Sequence, residues 1–176
     1  MQTPKYALLE NERRFLVAQT PALIGAHVRL IEDLYLEGGR LRLRKVTHLD
    51  GAATEFKLCK KYPSSDPTSG AIVNIYLTAV EHASLAGLPG RPLRKRRHRV
   101  AHSGRLFGLD VFEGPLAGLV TCEAEAGSAE AIRALAFPPW ASREVTEDPF
   151  FTGGHLSGLA AGEVQARLAE LAGAPA

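Results

Sequence analysis

The sequence predicts an α+β fold: a closed antiparallel β-barrel with helices packed outside it. Three observations lead there. Short strand-like segments follow one another through turn signals along most of the 176-residue chain. Only a few helix-start signals interrupt them. Several of these segments carry charge of one sign on one face and apolar residues on the other, and apolar faces turned out onto helices leave the charged faces to line a lumen. Unpaired charge in such a lumen is costly, so ions and water must fill it.

Each element follows from local signals. The stretch LLENERRFLV sits in a strand over 5–18. Alternate strand side chains share a face, so Glu10, Glu12 and Arg14 point one way and Leu9, Asn11, Arg13 and Phe15 the other. Residues 20–26 read as a short helix or turn, with Thr20 as N-cap and Pro21 at the first helical position. A strand over 27–37 stops at Gly38-Gly39. Residues 40–49 alternate basic and apolar side chains and put Arg40, Arg42 and Arg44 on one face. Asp50-Gly51 is a hairpin signal that leads into a strand over 53–62, where Lys57, Cys59 and Lys61 share a face. The stretch 61–70 is the most loop-like, and 71–77 reads either as a strand or as the lead into a helix. Thr78 and Glu81 form a capping box for a helix ending at Gly87. Residues 91–100 and 105–114 form a hairpin, and 119–127 a further strand with Thr121, Glu123 and Glu125 opposite Cys122 and Ala124. Ser128 caps a helix over 128–137. The last helix runs from about Ser157 to Leu171, in the same stripe as Leu156, Ala160, Val164 and Leu168. Nothing divides the chain, so one domain spans 1–176.

Composition narrows the function. Hydrophobic residues make up 45% and charged residues 23%, enough for one core without staples. Two cysteines are too few for a disulfide framework and point to a reducing compartment. The first residues lack the apolar core of a signal peptide, and no run is long enough to span a bilayer. The expectation is a cytoplasmic protein without a membrane partner. The net charge of +2 says little, but its segregation says more. Arg91, Arg94, Lys95, Arg96, Arg97 and Arg99 crowd one segment, while Glu10/Glu12 and Glu123/Glu125 crowd others. Hard divalent cations take charged oxygen ligands, so these glutamates and those cations suggest an anion held beside a metal. The 91–99 cluster lacks the interleaved aromatics that stack on bases, so nucleic acid is not an expected partner.

The ordered motifs resemble the CYTH superfamily, the triphosphate tunnel metalloenzymes. The resemblance runs from Glu10 to Leu156 and rests on E-x-E-x-R (10–14), YLEGGRLRLRKV (35–46), the strand holding Lys57, PLRKRRHRV (92–100), LDVFEGPLAGLVTCEAE (109–125) and REVTEDPFF (143–151). It implies an eight-stranded tunnel, a triphosphate-containing substrate inside it, and Mg2+ or Mn2+. It implies Glu10, Glu12, Glu123 and Glu125 as metal-binding carboxylates. It implies Arg42, Arg44, Lys57, Lys95 and Arg97 as phosphate-binding cations. Asp110 is a further acidic candidate at the metal, and Glu144 an acidic position without an assigned role. Arg14 stands where the family has lysine. Arginine can hold phosphate but cannot take a proton from water. The family's tyrosine near 150 is phenylalanine here, Phe150 and Phe151.

The expected activity is metal-dependent hydrolysis of a small anionic triphosphate, inorganic triphosphate first, with Glu10, Glu12, Arg14, Glu123 and Glu125 as the catalytic set. A polyphosphate- or nucleotide-binding module without turnover is the alternative that Arg14 favours. A class IV adenylyl cyclase shares the fold, but no added base-recognition element is visible. A homodimer is compatible with the sequence.

Overall fold

The computed structural model describes residues 4–21, 23 and 27–173. Among them nine strands follow in order: β1 (Leu8–Val17), β2 (Val28–Leu36), β3 (Leu41–His48), β4 (Glu55–Lys61), β5 (Ser69–Leu77), β6 (Gly90–His102), β7 (Arg105–Phe112), β8 (Val120–Ala126) and β9 (Ala141–Glu144). The helices are short: α1 (Ala79–Leu85), α2 (Ala129–Arg133), α3 (Gly153–Leu156) and α4 (Glu163–Gly173). Eight antiparallel strands close in the order β5-β4-β3-β2-β6-β7-β8-β1, with β1 pairing back onto β5. Closure pairs both ends of the eight-stranded sheet and leaves β9 as its one short edge strand among the described residues.

One strand does double duty at the seam. One edge of β1 pairs with β8 over Asn11 to Leu16. Its other edge pairs first with β5, over Leu8 to Asn11, and then with β9, over Phe15 to Val17. The ninth strand thus covers the stretch of β1 that β5 leaves free. Arg13 locks it there, donating to Glu144 at 2.8 and 2.5 Å and to the Leu135 carbonyl at 2.7 Å.

Local chemistry explains the turns and the helix ends. Both residues of the β6–β7 turn have positive φ, 48° at Ser103 and 74° at Gly104. That backbone matches the twist of the flanking strands. Residues 71–77 belong to a strand, and the Thr78–Glu81 capping box starts α1 directly after it. The helix expected over 128–137 keeps its Ser128 cap but stops at Arg133, because Pro138 and Pro139 follow and disfavour helix ahead of them. The helix expected from about Ser157 to Leu171 begins only at Glu163, as α4, after a break that includes Gly158 and Gly162, the latter with φ 96°; α3 ends ahead of it at Leu156. The helix or turn expected over 20–26 lies largely outside the described residues.

The apolar residues form two cores. Phe15, Phe107, Leu109, Cys122 and Ala124 on the outer wall pack with Ile132 and Leu135 of the α2 segment. The second core joins Leu16, Leu93 and Phe112, which share the inward face of their strands, to Phe151, Leu156 and Val164. Helices outside the barrel therefore describe α1 and α2, whereas α3 and α4 cap one end of it. Cys59 and Cys122 are free and buried. No helix among the described residues is long and apolar enough to cross a membrane.

Candidate functional site in the barrel lumen

Strand register decides which side chains face inward. Directly opposed residues share a face, and the pairs include Glu12–Glu125, Arg14–Glu123, Arg42–Tyr35, Arg44–Asp33 and Arg97–Asp110. The inward faces enclose a cavity of about 510 Å³. Glu10, Glu12, Arg14, Arg42, Arg44, Lys95, Arg97, Glu123 and Glu125 all line it.

Two expected residues sit elsewhere. Lys57 opposes Arg44 on the inward face, but it does not line the cavity. Its ammonium pairs with Glu55 at 2.6 Å and lies 5.0 Å from the Tyr76 ring, at the end of the barrel away from the α3 cap. Lys61, one full strand repeat beyond Cys59, takes the place expected for Lys57. It bridges Glu10 at 2.9 Å and Glu12 at 3.0 Å. Asp110 is the other case. It is fully buried behind the lining cations, and both oxygens are taken, by Lys95 at 2.5 Å and by Arg97 at 2.6 Å. It anchors cations and is not available as a metal ligand. Glu144 lies outside the lumen in its pair with Arg13.

Asp33 repeats the Asp110 arrangement and was not singled out by sequence. It is buried, and Arg44 donates to it through both arms of the guanidinium at 2.6 and 2.7 Å. Arg42 approaches more loosely, at 3.8 Å, and its buried Nε has no hydrogen-bond partner among the described residues. Two buried aspartates thus hold four cations that point at one space. The Asp33 face of VRLIEDLYL carries Arg29, Ile31 and Tyr35 beside it, so Asp33 is the one carboxylate on that face. Burial opposes the Asp33 charge, but Arg44 and Arg42 outweigh it and hold its carboxyl below the usual range.

The carboxylates divide into engaged and open. Glu123 accepts from Arg14 at 2.9 Å and from Arg97, and these cations keep it ionised despite burial, well below the usual range. Gly108 opposes Glu123, and a Cβ there would meet the Arg97 side chain at 3.2 Å, so glycine gives that arm room to cross. Glu125 has no cationic partner among the described residues. Desolvation by the wall, then the nearby Glu10, raises its carboxyl above the usual range; Arg97 opposes the shift, and Glu12 and Glu123 add to it. Lys95 is pushed down by burial, with Asp110 opposing.

The cap completes the lining. Arg14 donates to the Phe151 carbonyl at 3.1 Å and Arg91 to that of Gly154 at 3.1 Å. A Cβ on Gly153 would come within 1.9 Å of the Tyr35 hydroxyl, so only glycine lets the cap close on Tyr35. Phe151, one of the two phenylalanines at the place of the family's tyrosine, is buried in the cap core and contributes its backbone oxygen to the site.

Among the described residues no three His, Cys, Asp or Glu side chains converge on one point. The donor set nevertheless suits a hard cation: the candidates are all carboxylates, Glu125 is crowded by like charge, and Lys61 already stands between Glu10 and Glu12 as a counter-ion.

A closed barrel with cations and carboxylates facing one another across its lumen defines a triphosphate tunnel protein. The inorganic triphosphatase of Nitrosomonas europaea is 34% identical over 146 residues, which span 80% of this chain and 91% of that protein. The crystal structure of the inorganic triphosphatase NE1496 superposes with a TM-score of 0.58 at 30% identity, over 84% of this chain and 93% of that one. The PH1819 protein from Pyrococcus horikoshii shares the fold, with a TM-score of 0.52 at 16% identity over 70% of this chain and 82% of that one. No family model matches the sequence. The chain belongs to the CYTH, or triphosphate tunnel metalloenzyme, family.

Proposed function

We propose that the chain hydrolyses inorganic triphosphate inside its barrel, in the cytoplasm, with a divalent cation. The observation that carries this reading is the meeting of Arg42, Arg44, Lys95 and Arg97 with Glu10, Glu12, Glu123 and Glu125 around one cavity. It is supported by the similarity to a protein named inorganic triphosphatase.

Phosphoryl transfer asks for positioning and charge stabilisation more than for covalent chemistry. Arg42 and Arg44 offer planar forks to phosphate oxygens, and Lys95 and Arg97 reach the same space from β6, on the other side of β2. Asp33 and Asp110 hold these groups in place before substrate arrives, so little reorganisation remains for the reaction. Glu10, Glu12 and Glu125 would hold Mg2+ or Mn2+, with Glu123 beside them holding Arg14 and Arg97; the metal, when bound, would neutralise phosphate charge and polarise an attacking water. Arg14 stays charged and positions substrate; it moves no proton.

Phosphate release from triphosphate, pyrophosphate, ATP and thiamine triphosphate tests this, with Mg2+, with Mn2+ and with chelator. Release from triphosphate that needs the metal is the expected result. Tight binding without turnover on any of them would make the protein a binding module.

Arg14→Lys separates the same two readings from within. The arginine spans Glu123, Glu12 and the Phe151 carbonyl at 2.9, 3.3 and 3.1 Å, and lysine cannot reach all three. Each charge-assisted bond lost costs about 1.5–3 kcal/mol, so kcat/KM for triphosphate should fall about ten- to a hundred-fold. A rise instead would show that a proton acceptor is needed at this position.

A further inference from the structure

We infer that Lys61 is an exchangeable counter-cation: its ammonium holds Glu10 and Glu12 until a divalent cation displaces it, and then turns to the phosphate chain. One side chain thereby couples metal binding to substrate binding. This rests on the reading of the lumen as a metal- and phosphate-binding site.

Lys61 ends β4, whereas Glu10 and Glu12 lie on β1, with β5 between the two strands. Gly70 of β5 directly opposes Glu10, and a Cβ there would meet nothing within 4 Å, so the lane across β5 is open. The ammonium ends 2.9 Å from Glu10 and 3.0 Å from Glu12. Those carboxylates stand one strand repeat apart on one face, roughly 7 Å at about 3.4 Å per residue, so a single cation between them serves both. Glu125, directly opposed to Glu12, adds a third carboxylate. Lysine brings one positive charge to this group, and a divalent cation brings two.

Anchorage sets Lys61 apart from the other lining cations. Arg42 and Arg44 are tied to Asp33, and Lys95 and Arg97 to Asp110, and neither aspartate belongs to the proposed metal set. Arg14 touches Glu12 but is also held by Glu123 and the Phe151 carbonyl. Every ion-pair partner of Lys61 among the described residues is a carboxylate proposed for the metal. Its side chain is 46% exposed and lines both the lumen and a smaller adjoining cavity of about 180 Å³, so its flexible stem has room to swing. A divalent cation on the same oxygens repels the ammonium at contact distance. The displaced charge stays at the lumen, where a triphosphate supplies the anion it has lost. Each ligand then eases the binding of the other, because each removes Lys61 from a place the other ligand needs empty or filled.

Calorimetric Mn2+ affinity without substrate tests the exchange, in the wild type, Lys61→Met, Lys61→Arg and, as a control for net charge, Arg40→Met. Lys61→Met keeps an unbranched arm and loses the competing charge, so Mn2+ should bind at least about tenfold tighter. Lys61→Arg keeps a competitor and should bind Mn2+ no tighter than the wild type. Arg40 is exposed, and Arg40→Met should stay within about twofold, as for a surface change. A second measurement needs no variant: acylation of Lys61 by an amine-reactive ester, read by mass spectrometry. It should speed up when Mg2+ alone is added to the wild type and slow when a methylene-bridged triphosphate joins the metal. Unchanged Mn2+ affinity in Lys61→Met, an equal gain in Arg40→Met, or acylation that Mg2+ leaves unaltered would each overturn the exchange. A wild type that binds neither Mn2+ nor the triphosphate analogue would instead overturn the reading of the lumen, and the inference with it.

Discussion

Asp110→Asn will lower the melting temperature by about 6–20 °C. Asp110 is fully buried, and its two oxygens receive Lys95 and both arms of Arg97. Asparagine keeps the shape but removes the charge, leaving two desolvated cations with Glu123 as their remaining anion. Taking away one partner of a buried ion cluster costs about 3–5 kcal/mol, and each kcal/mol moves the transition of a chain this size by about 2–4 °C. Ligand should narrow the gap. Triphosphate brings negative charge to the same two cations, so its stabilising effect should be larger in the variant than in the wild type, measured in chelator to keep turnover out. A shift under about 2 °C, or equal stabilisation of the two proteins by triphosphate, would mean that Lys95 and Arg97 do not depend on Asp110 and do not face the ligand.

The same buried carboxylates mark the limit of what the sequence discloses. The barrel was legible because period-two alternation, Gly-rich turns and single-sign faces are local patterns. Glu10, Glu12, Arg42, Arg44, Glu123 and Glu125 are placed on the inward side by single-sign alternation and the order of the family motifs, and the register puts them there. Parity could not choose between Lys57 and Lys61, which share a face of β4. The stagger of neighbouring strands sets which of them reaches the carboxylates, and that stagger belongs to the closed barrel, not to any one strand. Asp110 was misjudged for a related reason. Its side chain points inward, as expected, but depth in the wall decides whether a carboxylate meets solvent or a cation, and depth has no sequence period. The cap was missed because the apolar stripe from Leu156 to Leu171 reads as a single helix beginning near Ser157, which leaves no separate turn at 153–156. Glycines at 158 and 162 break that stripe, and the break lets Phe151 and Leu156 fold over the barrel end beside Val164.

Glu123→Gln will reduce kcat for triphosphate at least about a hundred-fold, while Glu125→Gln will act through the metal. The two glutamates share a strand face but not an environment. Glu123 receives Arg14 and Arg97, so it fixes the direction of two phosphate-facing forks. Misplacing such groups by about 1 Å can cost on the order of a hundred-fold. Because those arginines hold Glu123 ionised well below the usual carboxylate range, the loss should be the same at every pH at which the enzyme is folded and active. Glu125 makes no ion pair among the described residues, and desolvation, then Glu10, raise its carboxyl against a weaker pull from Arg97. A raised carboxyl is protonated at the acidic end and becomes a metal ligand only as pH climbs through its value. Wild-type activity should therefore rise along that limb, and Glu125→Gln should remove the limb and raise the metal concentration needed for half-maximal rate. Excess Mg2+ or Mn2+ should recover part of the Glu125→Gln rate and none of the Glu123→Gln rate. Recovery of Glu123→Gln by metal would reverse the assignment, making Glu123 a metal ligand first and a holder of Arg14 and Arg97 second.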